Sequence, residues 1–253
     1  MAIIAVSNKK GGVGKTTTSV NLSGQAALKK KVLLIDADSQ GNASRNFGIE
    51  DSTSFRDLML GQEFEIVRNV RKNLDVIGNS EAGIGVDLKV INEYHRESIL
   101  KKAIGKLDYD HIFIDCPPDV GIVTANAMVA ADYLIIPMAA EPFALDGFDT
   151  MASTIRKVRE GPNPDLVLLG ILITLYDERL IISKKIRQDI IDNGWNVALF
   201  DTIIRHNTAV PNSQHRSQKK TVFEYDRKSH ASQDYAKLGH EIMRKIKKLN
   251  SMK

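Results

Sequence analysis

The stretch KKGGVGKTTT, Lys9 to Thr18, follows a short apolar run and opens a segment of helical character. Gly11, Gly12 and Gly14 let backbone N–H groups close around an anion, because glycine accepts positive φ and puts no side chain in the way. A helix starting near Lys15 adds the positive end of its dipole. In such a cradle the backbone from Gly11 through Val13 to Thr16 surrounds phosphate oxygens. Lys15 reaches the β- and γ-phosphates of a nucleotide, Thr16 offers its hydroxyl to Mg2+, and Thr17 can bond the α-phosphate. The common phosphate-loop pattern, G-x-x-x-x-G-K-[ST], asks for glycine at position 9, where this chain has lysine. Lys10 is one cation more than the loop needs.

The elements that must hold this loop are legible as alternation. Apolar runs over 3–6, 32–35, 74–77, 111–114, 133–136 and 166–173 predict buried strands. Between them, 15–28, 98–107, 122–131, 147–158 and 179–193 predict helices, the last stopping at Gly194. Strands alternating with helices predict an α/β fold: a mostly parallel sheet flanked by helices on both faces. Ligands of such sheets bind beyond the C-terminal ends of the strands, where the loop lies. There is no Pro/Gly/Ser-rich linker and no repeat, so residues 1–253 are expected to form a single domain.

Composition narrows the function classes. The 253 residues are 43% hydrophobic and 26% charged, ordinary for a globular chain. No apolar run approaches the length of a membrane span, and no secretory signal opens the chain. The single Cys116 excludes an internal disulfide and fits a reducing cytoplasm. His and Cys show no metal-ligand spacing. Net charge is +4 but uneven: residues 179–253 carry +9 and residues 1–178 carry −5. A basic C-terminal third suggests a polyanionic partner, nucleic acid or an anionic membrane.

Lys10–Thr16, K-G-G-V-G-K-T, resembles the deviant Walker A motif of the ParA/MinD ATPases. The resemblance implies a P-loop NTPase fold, ATP and Mg2+ as ligands, and a nucleotide-sandwich homodimer in which Lys10 reaches the phosphates of the partner subunit. A cation there would offset charge that develops in the transition state. Two more motifs match. LLIDADSQGNAS, residues 33–44, resembles the family's D-x-D-P-Q-G-N, with Ser39 in place of proline. It implies that Asp38 positions the attacking water and that Asp36 lies near the Mg2+ shell. The strand ending in Asp115, before Cys116-Pro117-Pro118-Asp119, resembles Walker B and implies a water held on Mg2+ by Asp115.

The resemblance continues through most of the chain. Residues 139–151 look like the family's E-[YF]-x-A-L-x-G segment, and residues 225–242 like its Y-D-x-K-S…Y helix. Residues 170–180 resemble the strand and loop near the adenine, which implies Tyr176 and Asp177 as base neighbours. Asn207 and Pro211 occupy the family's other base-side segment. Where the family often has an arginine followed by S-E-A-P-S, this chain reads R-H-N-T-A-V-P-N-S over residues 205–213, keeping the proline and losing the acid.

Branches of the family differ in what they position. The iron–sulfur branch needs two cysteines per chain and is excluded. A membrane branch uses an amphipathic C-terminal helix, and Tyr235, Leu238, Ile242, Ile246 and Leu249 do recur at helical spacing beside basic residues. The same stripe can pack on the sheet and turn its lysines to DNA, which is the expectation here. The resulting reading is a ParA-like partition ATPase, cytoplasmic and nucleoid-associated, that binds DNA non-specifically. A ParB-like partner stimulates its hydrolysis, and no membrane partner is expected. Candidate DNA contacts are Arg205, Arg216, Lys219, Lys220, Lys245 and Lys248. The chain starts at its first strand, so no N-terminal helix-turn-helix domain is expected. The alternatives are a ParA-like ATPase positioning another cargo, or a MinD-like membrane-associated switch.

Overall fold

The computed structural model describes every residue except Phe143, residues 145–147, residues 196–197 and Lys253. Among the described residues, seven strands form one sheet: β1 (Ala2–Val6), β2 (Val32–Asp36), β3 (Val67–Arg71), β4 (Leu74–Ile77), β5 (His111–Asp115), β6 (Tyr133–Ala139) and β7 (Val167–Thr174). Their order across the sheet is β3-β4-β2-β5-β1-β6-β7. Every pairing is parallel except β3 with β4. Strands β1, β2 and β4 and the inner part of β5 are buried along their length. Both faces of the sheet are covered, which is why the sequence shows continuous apolar runs there instead of alternation.

One face is covered by α1 (Lys15–Ala26), α2 (Asn42–Asn46), α10 (Val222–Tyr225) and α11 (His230–Asn250). The other carries α3 (Ser54–Met59), α4 (Val86–Val90), α5 (Ile99–Ile104), α6 (Ile122–Ala130), α7 (Phe148–Glu160) and α8 (Ile181–Ile190). The α/β sheet with helices on both faces is therefore the architecture found. A further short helix, α9 (Ala209–Ser213), lies over the start of α1, where Gln214 meets Thr17.

Several boundaries differ from the expectations, each for a local reason. The helix expected over 179–193 shrinks to α8, because Asp177 accepts bonds from the Arg179 backbone and guanidinium and holds that stretch in a turn. At its other end α8 passes into a π-type turn, Ile191–Trp195, broken by Gly194 at φ 81. The stretch 98–107 yields only α5 after a 3-10 turn at Arg96–Ser98. Strand β3 was not foreseen: VRNVR has no apolar pattern, and ion pairs of Arg68 with Asp75 and Arg71 with Glu224 help to hold it. The expected helix start at Gly147, and Phe143 and Leu145 of the segment 139–151, lie outside the described residues.

Helix α11 settles the place of the amphipathic stripe. Tyr235, Leu238, Ile242 and Ile246 are buried against the sheet, and Leu249 is packed at its edge. Arg244, Lys247 and Lys248 face solvent. Ser229 caps the helix by accepting from Ser232 N–H, and the buried Tyr235 hydroxyl meets Thr18 of α1 at 3.3 Å. Among the described residues no helix is long and apolar enough to cross a membrane. Leu238→Ala should therefore cost about 2–5 kcal/mol of stability, the range for a buried leucine. Urea unfolding measures it; a loss below about 0.5 kcal/mol, as for a surface position, would contradict this packing.

Candidate functional site

The loop between β1 and α1 takes the conformation its glycines allow. Gly12 has φ 73 and Gly14 has φ 85, both left-handed. Gly14 is the residue before α1, and Thr18 N–H donates back to its carbonyl. The loop is tied from two sides. Thr174, at the end of β7, donates to the Val13 carbonyl at 2.8 Å. Asn8 receives the Lys10 N–H and donates to the Pro137 carbonyl of β6. Neither Asn8 nor Thr174 was singled out in the sequence; each is a polar residue just past or at the end of an apolar run, which is the only signal they gave.

The two lysines of the loop occupy different environments. Lys15 is 7% exposed, and its ammonium donates to the Lys10 carbonyl at 3.0 Å. Burial lowers its pKa, and the carboxylates of Asp115 and Asp38 act in the opposite direction. Lys10 sits half-buried at the rim, its ammonium donating to the Pro142 carbonyl at 3.2 Å.

Asp115 and Asp38 lie close enough to Lys15 to act on its charge, and Asp36 stands beside Asp115. Asp36 and Asp115 end adjacent strands and are register partners, both fully buried. Asp36 accepts the N–H and hydroxyl of Ser44 at 2.8 and 2.7 Å. Asp115 accepts the Ser19 hydroxyl at 2.9 Å, while its second oxygen is buried without a partner. Burial raises the pKa of both, and for Asp36 the Asp115 charge adds to the effect. Asp38, 8% exposed, receives the Gln40 N–H on one oxygen. Gly41 follows at φ 61, and a Cβ there would stand 2.5 Å from the Asn79 carbonyl, so this turn fits against the end of β4 only with glycine.

A divalent cation fits this donor set. The orphaned Asp115 oxygen and the raised carboxylate pKa values both mark a place where positive charge is missing. No group of three His, Cys, Asp or Glu side chains among the described residues is arranged to hold a metal alone. Mg2+ keeps several waters and takes substrate phosphates as ligands, so it needs few protein oxygens. Thr16 would bind it directly; Asp36 and Asp115 would hold its waters.

The base-side candidates lie along one surface. Tyr176 and Arg205 form a bridge, His206 N–H donates to the Tyr176 carbonyl, and Asn207 accepts from Ala209 N–H at the start of α9, which contains Pro211. Asp177 is engaged by Arg179, which holds its carboxyl below the usual range. The basic candidates do not form one patch. Arg216, Lys219 and Lys220 lie at the phosphate-loop end. Lys245 and Lys248 are on α11, with Lys248 about 21 Å along the helix from Asp234. Arg205 is not a free cation: it forms a two-pronged pair with Asp234 at 2.7 and 2.9 Å that fixes the turn before α9. Lys245 stacks on Phe200 and donates to the Leu169 carbonyl.

A family model described as an AAA domain matches residues 1–168. The chain is 36% identical over 254 residues to the chromosome partitioning protein ParA of Caulobacter vibrioides, an alignment covering 96% of this chain and 94% of that protein. It is 35% identical over 249 residues to the sporulation initiation inhibitor protein Soj of Bacillus subtilis, covering 95% and 97%. Among solved structures it is similar to the cobyrinic acid a,c-diamide synthase of Mycobacterium smegmatis with bound ATP analog and magnesium, at TM-score 0.83 and 30% identity, covering 96% and 94%.

The buried carboxylate pair makes a prediction for the ligand-free chain. A carboxyl whose folded pKa is raised costs nothing below its unfolded value near 3.8. The cost grows as pH rises through that value toward neutrality, because the unfolded chain ionises first. Asp115→Asn should therefore be more stable than the unsubstituted chain at pH 8, by at least about 1.4 kcal/mol, the equivalent of one pKa unit. The gap should narrow on acidification and close only below about pH 3.8, where the unfolded carboxyl is protonated as well. Denaturant titration across pH measures it; a gap independent of pH would show that the pair carries no such cost.

Proposed function

The chain belongs to the ParA/MinD family of ATPases, in its ParA/Soj branch, and from that premise we propose that it is a partition ATPase that binds ATP and Mg2+, dimerises around them and holds non-specific DNA. The observation that carries this reading is the separation of the two loop lysines. Lys15 is drawn inside against the carboxylates, and Lys10 stands on the rim, where a second copy could receive it.

The residues divide the work. The backbone of Gly11 to Thr16 and the Lys15 ammonium bind and orient the phosphates. Mg2+ supplies positive charge at the phosphate oxygens when bound. Asp38, fixed by Gln40 N–H on one oxygen, has its other oxygen to orient a water for in-line attack and take its proton. Lys10 of a second copy adds charge to the transferring phosphoryl group and excludes water as the faces meet. The base rests against the surface from Tyr176 to Pro211.

Dimerisation gathers basic groups from two copies onto one surface, with Arg216, Lys219 and Lys220 nearest the nucleotide. A ParB-like partner would stimulate hydrolysis and release the DNA. The protein then acts in the cytoplasm, on the nucleoid, as one ATPase domain. The buried stripe of α11 favours DNA over a membrane as the polyanion.

Lys15→Ala should weaken ATP binding by about 100-fold, about 2.7 kcal/mol, and abolish DNA binding in ATP. Calorimetry with ATP and Mg2+ tests this, and unchanged affinity would remove Lys15 from the site. Asp38→Ala should bind ATP normally, turn over about 100-fold more slowly, and remain on DNA longer. Single-turnover hydrolysis decides: a normal rate would move the water-positioning role to another group.

A further inference from the structure

Helix α11 turns two buried carboxylates toward one segment of backbone. Asp234 and Glu241 are almost two helical turns apart, so they share a face and lie about 10 Å from each other along the axis. The segment they meet, residues 199–206, is bonded to the edge strand β7 as well. Leu199 bridges to Ile171 and Arg205 to Tyr176, without a regular ladder between them. The N–H groups of Phe200 and Ile204 donate to Ile171 and Ile173 of β7. Those of Asp201, Thr202 and Arg205 go to the helix instead. Glu241 accepts the first two at 2.8 and 2.9 Å, and Asp234 accepts the third at 3.1 Å. The Arg205 guanidinium adds two bonds to Asp234, at 2.9 and 2.7 Å. Backbone N–H groups along a sheet edge otherwise turn to water or to another strand. Ionised acceptors hold them more strongly than neutral ones do.

Asp234 grips this segment where the two base-side stretches meet. Tyr176 is held by the residues on either side of Arg205: its N–H donates to the Ile204 carbonyl, and its own carbonyl accepts the His206 N–H. Asn207 follows directly and opens the turn into α9, which contains Pro211. The stretch at Tyr176 and Asp177 and the stretch from Asn207 to Pro211 therefore take their relative positions at the residue that Asp234 holds. The phosphate loop is fixed separately, by Thr174 and Asn8. Glu241 holds the start of the segment, on the side away from Asn207.

We infer that Asp234 is a positioning residue for the nucleotide base: through Arg205 it sets the surface that tells adenine from guanine, and it leaves the phosphate site alone. The inference rests on the proposed base-side surface and adds the residue that governs it. Glu241 secures the same segment without setting the base.

The test uses Asp234→Asn, Arg205→Gln, the double variant and Glu241→Gln in the full chain, with thermal melting as the check that each is folded. Asparagine keeps the shape of aspartate but turns an amide donor toward a guanidinium that has only donors. Calorimetry measures affinities for ATP, GTP and inorganic tripolyphosphate, each with Mg2+. Asp234→Asn should bind ATP about tenfold more weakly and lower the ratio of ATP to GTP affinity by a similar factor. KM for ATP should rise about tenfold with kcat within about twofold, and tripolyphosphate affinity should not change. Arg205→Gln should behave alike, and the double variant should lose no more than either single one, because the two act as a unit. Glu241→Gln should melt at a lower temperature with its ATP to GTP ratio intact. An unaltered ratio in Asp234→Asn would overturn the inference. So would an equal loss of tripolyphosphate affinity, an equal loss of the ratio in Glu241→Gln, or additive losses in the double variant. Failure of the base-side reading has a different signature: the unsubstituted chain would bind ATP no more tightly than GTP.

Discussion

Asp36 and Asp115 stand side by side at the ends of β2 and β5, fully buried, with no cation in ion-pair contact among the described residues. Charges in such a place are costly unless something positive arrives. The parallel register of the two strands forces the neighbours together, and hydroxyls of Ser44 and Ser19 hold them in place without neutralising them. The ligand-free fold thus keeps an unmet demand for positive charge. Around it are arranged the Lys15 ammonium, the Thr16 hydroxyl and the glycine loop. The site is a consequence of where the sheet places these strand ends.

The same constraint explains why the surroundings are tied so firmly. The glycine loop is fastened to β7 through Thr174 and to β6 through Asn8. The Asp38 turn is fastened to the end of β4 through Gly41 and to α2 through Arg45. A site meant to meet phosphates and a metal must not collapse around its own charges, and these ties hold it open.

Much of this was legible in the sequence where residue type and spacing fix the chemistry together. The loop from Lys10 to Thr17, the pair Asp36 and Asp38, and Asp115 after its apolar strand all lie at strand ends, as their patterns imply. The six long apolar runs became strands because burial on both faces leaves a strong signal. What stayed hidden depends on contacts between distant segments. Ser19 and Ser44 are ordinary serines until folding sets them against the carboxylates. Arg205 reads as a free cation until Asp234 of α11 is folded beside it. Strand β3 is held by arginines pairing across the sheet and loop, and helices of four to six residues are too short for a period of 3.6 to show.

The central claim is that one chain holds only part of a working site and that Lys10 belongs to the other copy's phosphates. Sedimentation of Lys10→Ala with Mg2+ and a slowly hydrolysed ATP analogue tests it directly. The account predicts a monomer that binds the analogue with near-normal affinity through Lys15 and Thr16, while the unsubstituted chain forms a dimer under the same conditions. A Lys10→Ala chain that dimerises as readily as the unsubstituted one would contradict it.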